Sequence, residues 1–208
     1  MEIFCDGISK KFGSQKIFKN LTLTIPEKSS LAITGSNGSG KSTLLKILAG
    51  LDFPDKGSIF YSENENSVNS SDIFDRISFC APYQELPLHL TLKELISFHE
   101  RSRSTSDLMT TFKTCGLTPF LNKKLETFSS GMNQRVKLTL AFCTNSSILF
   151  LDEPTGNLDL AGKEFYKTLC LEHQSQKTIV ISSNEEQEYD FTQKVLNIED
   201  ISRKSYSV

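Results

Sequence analysis

The pattern of hydrophobic and polar residues changes along the chain. Residues 2–12 and 16–25 alternate around a turn at residues 13–14, which predicts two half-buried strands. Apolar runs without alternation come later, as in 148–151, and such runs fit strands buried on both faces of a parallel sheet. Segments with helical spacing, such as 42–51, lie between these runs. The alternation of strands and helices predicts an α/β fold.

The middle of the chain has a different pattern. Two segments between residues 91 and 116 show helical periodicity, and Thr91 is predicted to cap the first of them. We interpret residues 86–128 as a mainly helical lobe inserted into a single α/β domain. The core of that domain then comprises residues 1–85 and 129–208.

Composition and charge narrow the class of protein. The 208 residues carry a formal charge of −2, so no overall basic field points to a nucleic-acid partner. No apolar run approaches the roughly 18–20 residues that span a bilayer. The first residues lack the features of a signal peptide, so we expect a cytoplasmic protein. The five cysteines and three histidines are scattered, and their spacing favours structural roles over metal binding.

The segment GSNGSGKS (35–42) matches the phosphate-loop pattern G-x-x-x-x-G-K-[ST]. Glycines let backbone N–H groups turn inward around an anion, and the following helix directs its positive end to the same place. Lys41 has the length to reach the outer phosphates, and the Ser42 hydroxyl can bind magnesium. The residues predicted to hold the nucleotide are Gly35, Ser36, Asn37, Gly38, Ser39, Gly40, Lys41, Ser42 and Thr43.

A magnesium–nucleotide site also needs a carboxylate. The run ILFLDE (148–153) ends in Asp152 and Glu153, at the end of a strand where ligands bind in open α/β sheets. Asp152 is predicted to hold Mg²⁺, directly or through water. Glu153 is predicted to orient or deprotonate an attacking water. We therefore predict a P-loop NTPase core with a mainly parallel sheet, an N-terminal antiparallel β portion and the inserted helical lobe.

Two further motifs complete an ordered set. FSSGMNQR (128–135) precedes the acidic strand, and EPTGNLD follows it and ends at Asp159. With the phosphate loop, this set resembles the ATP-binding subunits of ABC transporters over nearly the whole chain. The loop is similar to the family's Walker A motif, ILFLDE to Walker B, EPTGNLD to the D-loop, and FSSGM stands in the place of the LSGGQ signature. Phe12 is similar to the aromatic residue that stacks on adenine in that family.

The resemblance implies ATP and Mg²⁺ as ligands and a second ATP-binding subunit as partner, in a homodimer or a heterodimer. In the family each ATP lies between one phosphate loop and the partner's signature. Ser129 and the backbone at Gly131 are then expected to face the γ-phosphate across the interface, and Asp159 is expected to belong to the same site. The helical lobe is expected to meet an integral membrane permease, which holds the chain at the inner face of the cell membrane.

Three parts of the chain depart from the family pattern. The signature has Ser130 in place of glycine and Met132 in place of glutamine, so a polar contact is lost. The glutamine that serves magnesium and water falls on Gln84 or Tyr83, and we favour Gln84 for its chemistry. The histidine after the last core strand is replaced by Asn184, which donates a hydrogen bond but does not titrate. These departures predict ATP binding with slower hydrolysis.

Two functional hypotheses follow from these observations. The first is a subunit that binds and hydrolyses ATP–Mg²⁺ to drive transport through a separate permease. The second is a catalytically weak nucleotide-binding switch that pairs with a more competent ATPase subunit. A soluble relative of translation or DNA repair is disfavoured, because the chain has one phosphate loop, no heptad run and no basic patch. A GTPase is disfavoured because no N-K-x-D motif occurs.

Overall fold

A computed structural model describes residues 1–203, apart from the side chains of residues 70, 202 and 203. The last five residues, 204–208, which the sequence analysis assigns to the α/β core, lie outside the described residues. Within residues 1–203, no helix combines the length and the apolar composition needed to cross a lipid bilayer.

The alternating N-terminal segments form an antiparallel sheet. Strands β1 (Glu2–Phe12) and β2 (Gln15–Ile25) make a hairpin around the predicted turn. Strand β4 (Lys56–Glu63) pairs with the other edge of β1, and the short β5 (Asn66–Ser67) pairs with β4. The strand order is β2-β1-β4-β5, which confirms the predicted antiparallel portion.

The apolar runs form a second sheet whose five strands are all parallel, in the order β6-β7-β8-β3-β9. Every residue of β7 and of β8 is buried, as expected for strands covered on both faces. The prediction of a mainly parallel sheet is therefore confirmed. The strands of this sheet are β3 (Ser30–Thr34), β6 (Ile77–Cys80), β7 (Ile148–Asp152), β8 (Thr178–Ser182) and β9 (Lys194–Asn197).

Helices connect the parallel strands. Helix α1 (Lys41–Leu48) follows β3, α4 (Ser130–Cys143) leads into β7, and α5 (Leu160–His173) joins β7 to β8. Two shorter helices, α6 (Glu186–Tyr189) and α7 (Ile198–Arg203), follow β8 and β9. Crossover connections of this kind are what parallel pairing requires, because a tight turn can join only antiparallel neighbours.

Residues 86–128 contain two α-helices. Thr91 caps the first of them: its hydroxyl accepts a hydrogen bond from the Glu94 N–H at 3.2 Å, and the Glu94 carboxylate accepts one from the Thr91 N–H at 2.8 Å. This capping box confirms the predicted start of the helix. The helical elements of this segment are α2 (Leu92–Ser102), α3 (Leu108–Thr114) and 3₁₀ turns at Thr118–Phe120 and Leu125–Thr127.

Two hydrophobic clusters cover the two faces of the parallel sheet. Ile148 and Phe150 of β7 belong to the cluster that also includes the antiparallel sheet and α1. Leu149 and Leu151 belong to the cluster that includes α2, α3, α4 and α5. Adjacent residues of one strand therefore pack on opposite sides, and this explains why the run has no polar positions.

A buried lysine lies where α4 ends and β8 begins. The Lys177 ammonium donates to the carbonyl oxygen of Phe142 at 2.7 Å and also to that of Thr144. These are carbonyl groups at the helix C-terminus, which lack partners within the helix. Burial lowers the pKa of Lys177 from 10.5 to about 8, because the charged form has lost its hydration.

The lowered pKa of Lys177 predicts a pH-dependent stability. Between about pH 8 and 10.5 the unfolded chain binds this proton more tightly, so the free energy of unfolding rises with pH in that window. Relative to Lys177→Met, the parent should gain roughly 2 kcal/mol between pH 7 and 9.5. Urea unfolding at both pH values measures this gain. The exposed Lys19→Met is the control, and an unchanged difference between parent and Lys177→Met would contradict the prediction.

Candidate nucleotide-binding site

The glycine-rich loop lies between β3 and α1, at the carboxyl end of the parallel sheet. Gly35 and Gly40 have φ angles of 140° and 104°, which residues with a side chain rarely adopt. Space also requires glycine here. A Cβ on Gly40 would lie 2.0 Å from Ile17 Cγ2, and one on Gly35 would lie 2.8 Å from Ile198 Cγ2. The loop is therefore fixed by β2 on one side and by α7 on the other.

The start of α7 also makes polar contacts with the loop. One oxygen of Glu199 accepts hydrogen bonds from the Ser36 N–H, at 2.8 Å, and from the Ser36 hydroxyl. Ile198 is fully buried beside both loop glycines. Sequence reasoning missed both residues, because the segment KVLNIED carries no motif that relates it to the loop, and Glu199 lies 163 positions after Ser36.

The loop lysine is held inside the loop. Lys41 is 5% exposed, and its Nζ donates to the carbonyl oxygens of Gly35 at 2.9 Å and Ser36 at 3.1 Å. The ammonium group is thus fixed beside the loop that precedes the positive end of α1. This combination of a fixed cation and a helix N-terminus favours binding of a phosphate group.

A hydroxyl and a carboxylate meet beside the loop. Ser42 Oγ donates to Asp152 Oδ1 at 2.9 Å, although the two residues are 110 positions apart in sequence. Asp152 is the last residue of β7 and is 2% exposed. A serine hydroxyl and a carboxylate are hard oxygen donors, and these are the ligands that Mg²⁺ prefers. The residues present therefore fit a magnesium ion.

The second acidic residue of the strand end faces solvent. Glu153 is exposed, and its backbone N–H donates to the Ser182 carbonyl oxygen at 2.9 Å. Its φ angle is 44°, an uncommon value for a residue other than glycine. Such backbone strain clusters at functional sites, where surrounding structure holds it. The carboxylate is placed where water has access, as a general base requires.

The turn after β8 brings Asn184 to the phosphate loop. Its side-chain Nδ2 donates to Asn37 Oδ1 at 2.6 Å, across 147 positions of sequence. His99 contacts Thr144 and His173 packs against Phe142, so neither of these histidines lies at this turn. At this position the chain therefore presents an amide to the loop.

Tyr83 and Gln84 point to different surroundings. Lys46 Nζ lies 4.2 Å from the centre of the Tyr83 ring. Partial burial and the negative charge of Asp152 raise the Tyr83 pKa to about 12. The Gln84 Oε1 accepts a hydrogen bond from the Ala81 N–H at 3.0 Å. The assignment of magnesium contact to Gln84 stays a prediction.

Phe12 ends β1 and has an exposed ring. The side chain is 54% exposed, and Lys10 Nζ lies 5.5 Å from the ring centre. An exposed aromatic face offers a surface on which a planar base can stack. Its strand neighbour across the hairpin is Gln15, two residues from the Ile17 that packs against the phosphate loop.

The predicted signature residues lie at the start of α4. Ser129 caps the helix by accepting a hydrogen bond from the Met132 N–H at 3.2 Å. A Cβ on Gly131 would lie 2.9 Å from the Asn157 carbonyl oxygen, so the helix start packs tightly against the turn after β7. The Met132 side chain is partly buried against the hydrophobic cluster that includes α2, α3, α4 and α5, where an apolar residue fits.

Asp159 ends that turn and caps α5. It accepts a hydrogen bond from the Gly162 N–H at 2.9 Å and forms an ion pair with Arg135 of α4. The Gly162 N–H and the Arg135 guanidinium keep the Asp159 pKa below its ordinary value. The signature helix and the turn after β7 are thus linked within one chain.

The fold and this site together define an α/β domain of the phosphate-loop class. The ABC transporter family model matches residues 18–156, which include the phosphate loop, the segment 128–135 and the acidic strand end. The chain therefore belongs to the ABC transporter family, as an ATP-binding domain, and the predicted resemblance and fold are confirmed.

Individual relatives agree with this assignment. The chain is 35% identical to the sulfate/thiosulfate import ATP-binding protein CysA of Synechococcus elongatus, over 73% of this chain and 46% of that protein. It is 32% identical to the uncharacterized ABC transporter ATP-binding protein MJ1508 of Methanocaldococcus jannaschii, over 88% of this chain and 87% of that protein. The chain spans about half the length of several curated relatives that it matches.

Solved structures share the fold. A putative ABC transporter ATP-binding protein from Pyrococcus furiosus has a TM-score of 0.82 at 22% identity, covering 97% of this chain and 100% of that one. The dimeric post-hydrolysis structure of the ATP-binding cassette MJ0796, bound to ADP and Pi, has a TM-score of 0.79 at 24% identity, covering 94% and 93%.

Proposed function

We propose that this chain binds ATP–Mg²⁺ and hydrolyses ATP to drive transport through a separate membrane permease. The observation that carries the proposal is the contact of Ser42 with Asp152 next to the fixed Lys41 ammonium. This contact brings a metal-binding oxygen pair and a phosphate-binding cation to the same end of the sheet. ATP-binding proteins among the relatives support it.

Each part of the site then has a role. Backbone N–H groups of residues 37–43 and the Lys41 ammonium bind the phosphates. Ser42 and Asp152 hold Mg²⁺, which, when bound, neutralises charge on the β- and γ-phosphates. Glu153 orients or deprotonates the attacking water, and Phe12 stacks on the base. Gln84 is proposed to contact magnesium and water.

The complete site is proposed to need a second ATP-binding subunit. Ser129 and the Gly131 backbone lie at the N-terminus of α4, whose N–H groups favour an anion. We propose that they face the γ-phosphate bound by a partner, with Asp159 in the same interface. The dimeric form of the MJ0796 cassette, which shares the fold, supports this arrangement.

A groove between the core and the helical lobe is the proposed contact with the permease. It has a volume of about 480 Å³ and combines apolar residues, including Leu51, Phe74 and Leu86, with the basic Arg103 and Lys137. Leu51 and Phe74 are each about half exposed. Such a groove suits an amphipathic helix with an acidic edge. The chain would then lie on the cytoplasmic face of the membrane.

Replacing the proposed general base tests the hydrolysis step. Glu153→Gln keeps the shape of the side chain but removes the carboxylate, so ATP turnover should fall roughly 10²-fold or more. ATP affinity should stay close to the parental value, and an ATP-dependent dimer should accumulate. Phosphate release and light scattering measure the two effects. Glu172→Gln, an exposed change of equal charge, is the control; parental turnover in Glu153→Gln would remove Glu153 from this role.

Changing the groove tests the permease contact. Leu51→Glu should prevent association with a co-expressed permease subunit, because it places an unpaired charge against an apolar surface. Basal ATP turnover should persist. Co-expression followed by membrane flotation measures the association. Phe60→Glu, at a similarly exposed phenylalanine of the antiparallel sheet, should bind like the parent, and retention of Leu51→Glu at the membrane would exclude this groove.

The alternative is a catalytically weak subunit that pairs with a more competent ATPase. Asn184 and Met132 favour it. Asn184 has no titratable ring, and Met132 offers no strong polar contact at the signature. Tight ATP binding without turnover, even in the presence of the permease, would select this alternative.

Replacing Asn184 by histidine distinguishes the active ATPase from the catalytically weak subunit. If Asn184 limits hydrolysis, Asn184→His should raise turnover by about tenfold, since an imidazole in contact with the loop can also exchange protons. Steady-state ATP hydrolysis measures the rate. Gln187→His, an exposed change three residues later, should leave turnover unchanged. Equal rates in Asn184→His and the parent would show that Asn184 does not limit the rate of ATP hydrolysis.

A further inference from the structure

A buried carboxylate lies beneath the site and has no place in the roles above. Glu188 belongs to α6, is 3% exposed, and follows Asn184 by four residues. Its Oε1 accepts a hydrogen bond from the Thr155 N–H at 2.7 Å and another from the Thr155 hydroxyl. Burial raises the pKa of Glu188, while the hydrogen bonds from Thr155 act in the opposite direction.

The contacts of Glu188 join two turns that carry proposed catalytic groups. Thr155 lies two residues after Glu153, in the turn that follows β7. Ser183 immediately precedes Asn184, in the turn that follows β8. Glu188 lies on α6, which directly follows the turn of Asn184, so its bond to Thr155 connects the two turns across 33 positions of sequence.

Neighbouring helices fix the backbone of Glu188 and the turn that its side chain binds. The Tyr166 hydroxyl of α5 donates to the Glu188 backbone carbonyl oxygen at 2.7 Å. Gln134 of α4, which is buried, donates from Nε2 to the Pro154 carbonyl oxygen at 2.7 Å. The Glu188–Thr155 contact is thus enclosed by α4 and α5, the former being the helix that begins at the signature.

Because the Glu188 carboxylate is buried, it depends on its hydrogen bonds to Thr155. A carboxylate removed from water costs free energy unless hydrogen bonds compensate it. Here two donors come from one residue and converge on one oxygen, so they fix the position of the Thr155 backbone as well as its side chain. A buried polar contact of this kind favours one arrangement of the chain over nearby alternatives.

We propose that Glu188 is a positioning residue for ATP hydrolysis. By binding Thr155, it fixes the turn that carries Glu153 relative to the turn that carries Asn184. The inference rests on the proposed function, because it concerns the placement of Glu153, assigned to the attacking water, and of Asn184, which contacts the phosphate loop. Glu188 itself touches neither nucleotide nor water in this role. Its effect is on the rate of hydrolysis and on the rigidity of the two turns.

Three variants test this role. Glu188→Ala removes the acceptor, whereas Glu188→Gln keeps a carbonyl oxygen that can accept both Thr155 bonds. Leu108→Ala, in α3 of the helical lobe, is a buried truncation that destabilises the fold without touching these turns. Amide hydrogen exchange is measured over residues 153–159 and 182–187, together with turnover and the dissociation constant of a fluorescent ATP analogue.

We expect Glu188→Ala to change the two turns and the rate of hydrolysis but not nucleotide binding. Glu188→Ala should speed exchange in both turns by about tenfold and lower turnover by about tenfold, with nucleotide affinity within about twofold of the parent. Glu188→Gln should stay within about threefold of the parent in each measurement. Leu108→Ala should speed exchange in the helical lobe and leave the two turns as they are.

Other results would overturn the role. Unchanged exchange in the two turns of Glu188→Ala would do so, as would equal losses in Glu188→Ala and Glu188→Gln. A parallel loss of affinity and turnover would mean that Glu188 supports the fold alone. If the parent itself shows no turnover, the proposed hydrolysis fails, and the exchange measurement alone decides the role of Glu188.

Discussion

The order of strands in the parallel sheet is the constraint on which the site depends. Strand β8 lies between β3 and β7, and all three run in the same direction. Their carboxyl ends therefore meet at one edge of the sheet, where ligands bind in open α/β folds. Asn184 follows β8, whose carboxyl end lies between the phosphate loop and Asp152. Ser42 donates a hydrogen bond to the Asp152 carboxylate across this end of the sheet.

Burial on both faces gives the sheet its rigidity. Alternate residues of β7 enter two separate hydrophobic clusters, so a movement of the strand disturbs packing on both sides. Truncation of a large side chain in such a core costs about 2–5 kcal/mol. Asp152 is held in a fixed position because it is the last residue of the same strand. Ionic groups at the site are therefore placed by apolar packing beneath them.

Polar contacts between distant segments hold the loops above the sheet. Glu199 and Ile198 fix the phosphate loop from the end of the described chain, and Glu188 fixes the turn that follows the acidic residues. Loops carry binding and catalytic residues in many folds, because a rigid scaffold can position them without burying their backbone. In this chain the scaffold extends into the loops through these three side chains.

The sequence alone determined the phosphate loop, the hairpin, the buried strands and the capped helix at Thr91, because each depends on residues close together in the chain. The order of the motifs was enough to indicate the family. Only the tertiary structure decided that Asn184 meets Asn37, that Glu188 meets Thr155 and that Glu199 meets Ser36. These partners are 147, 33 and 163 positions apart, and hydrogen bonds between them arise only after the strands have assembled. Local periodicity cannot contain that information, because it reports which face of an element is buried and not which loop lies opposite.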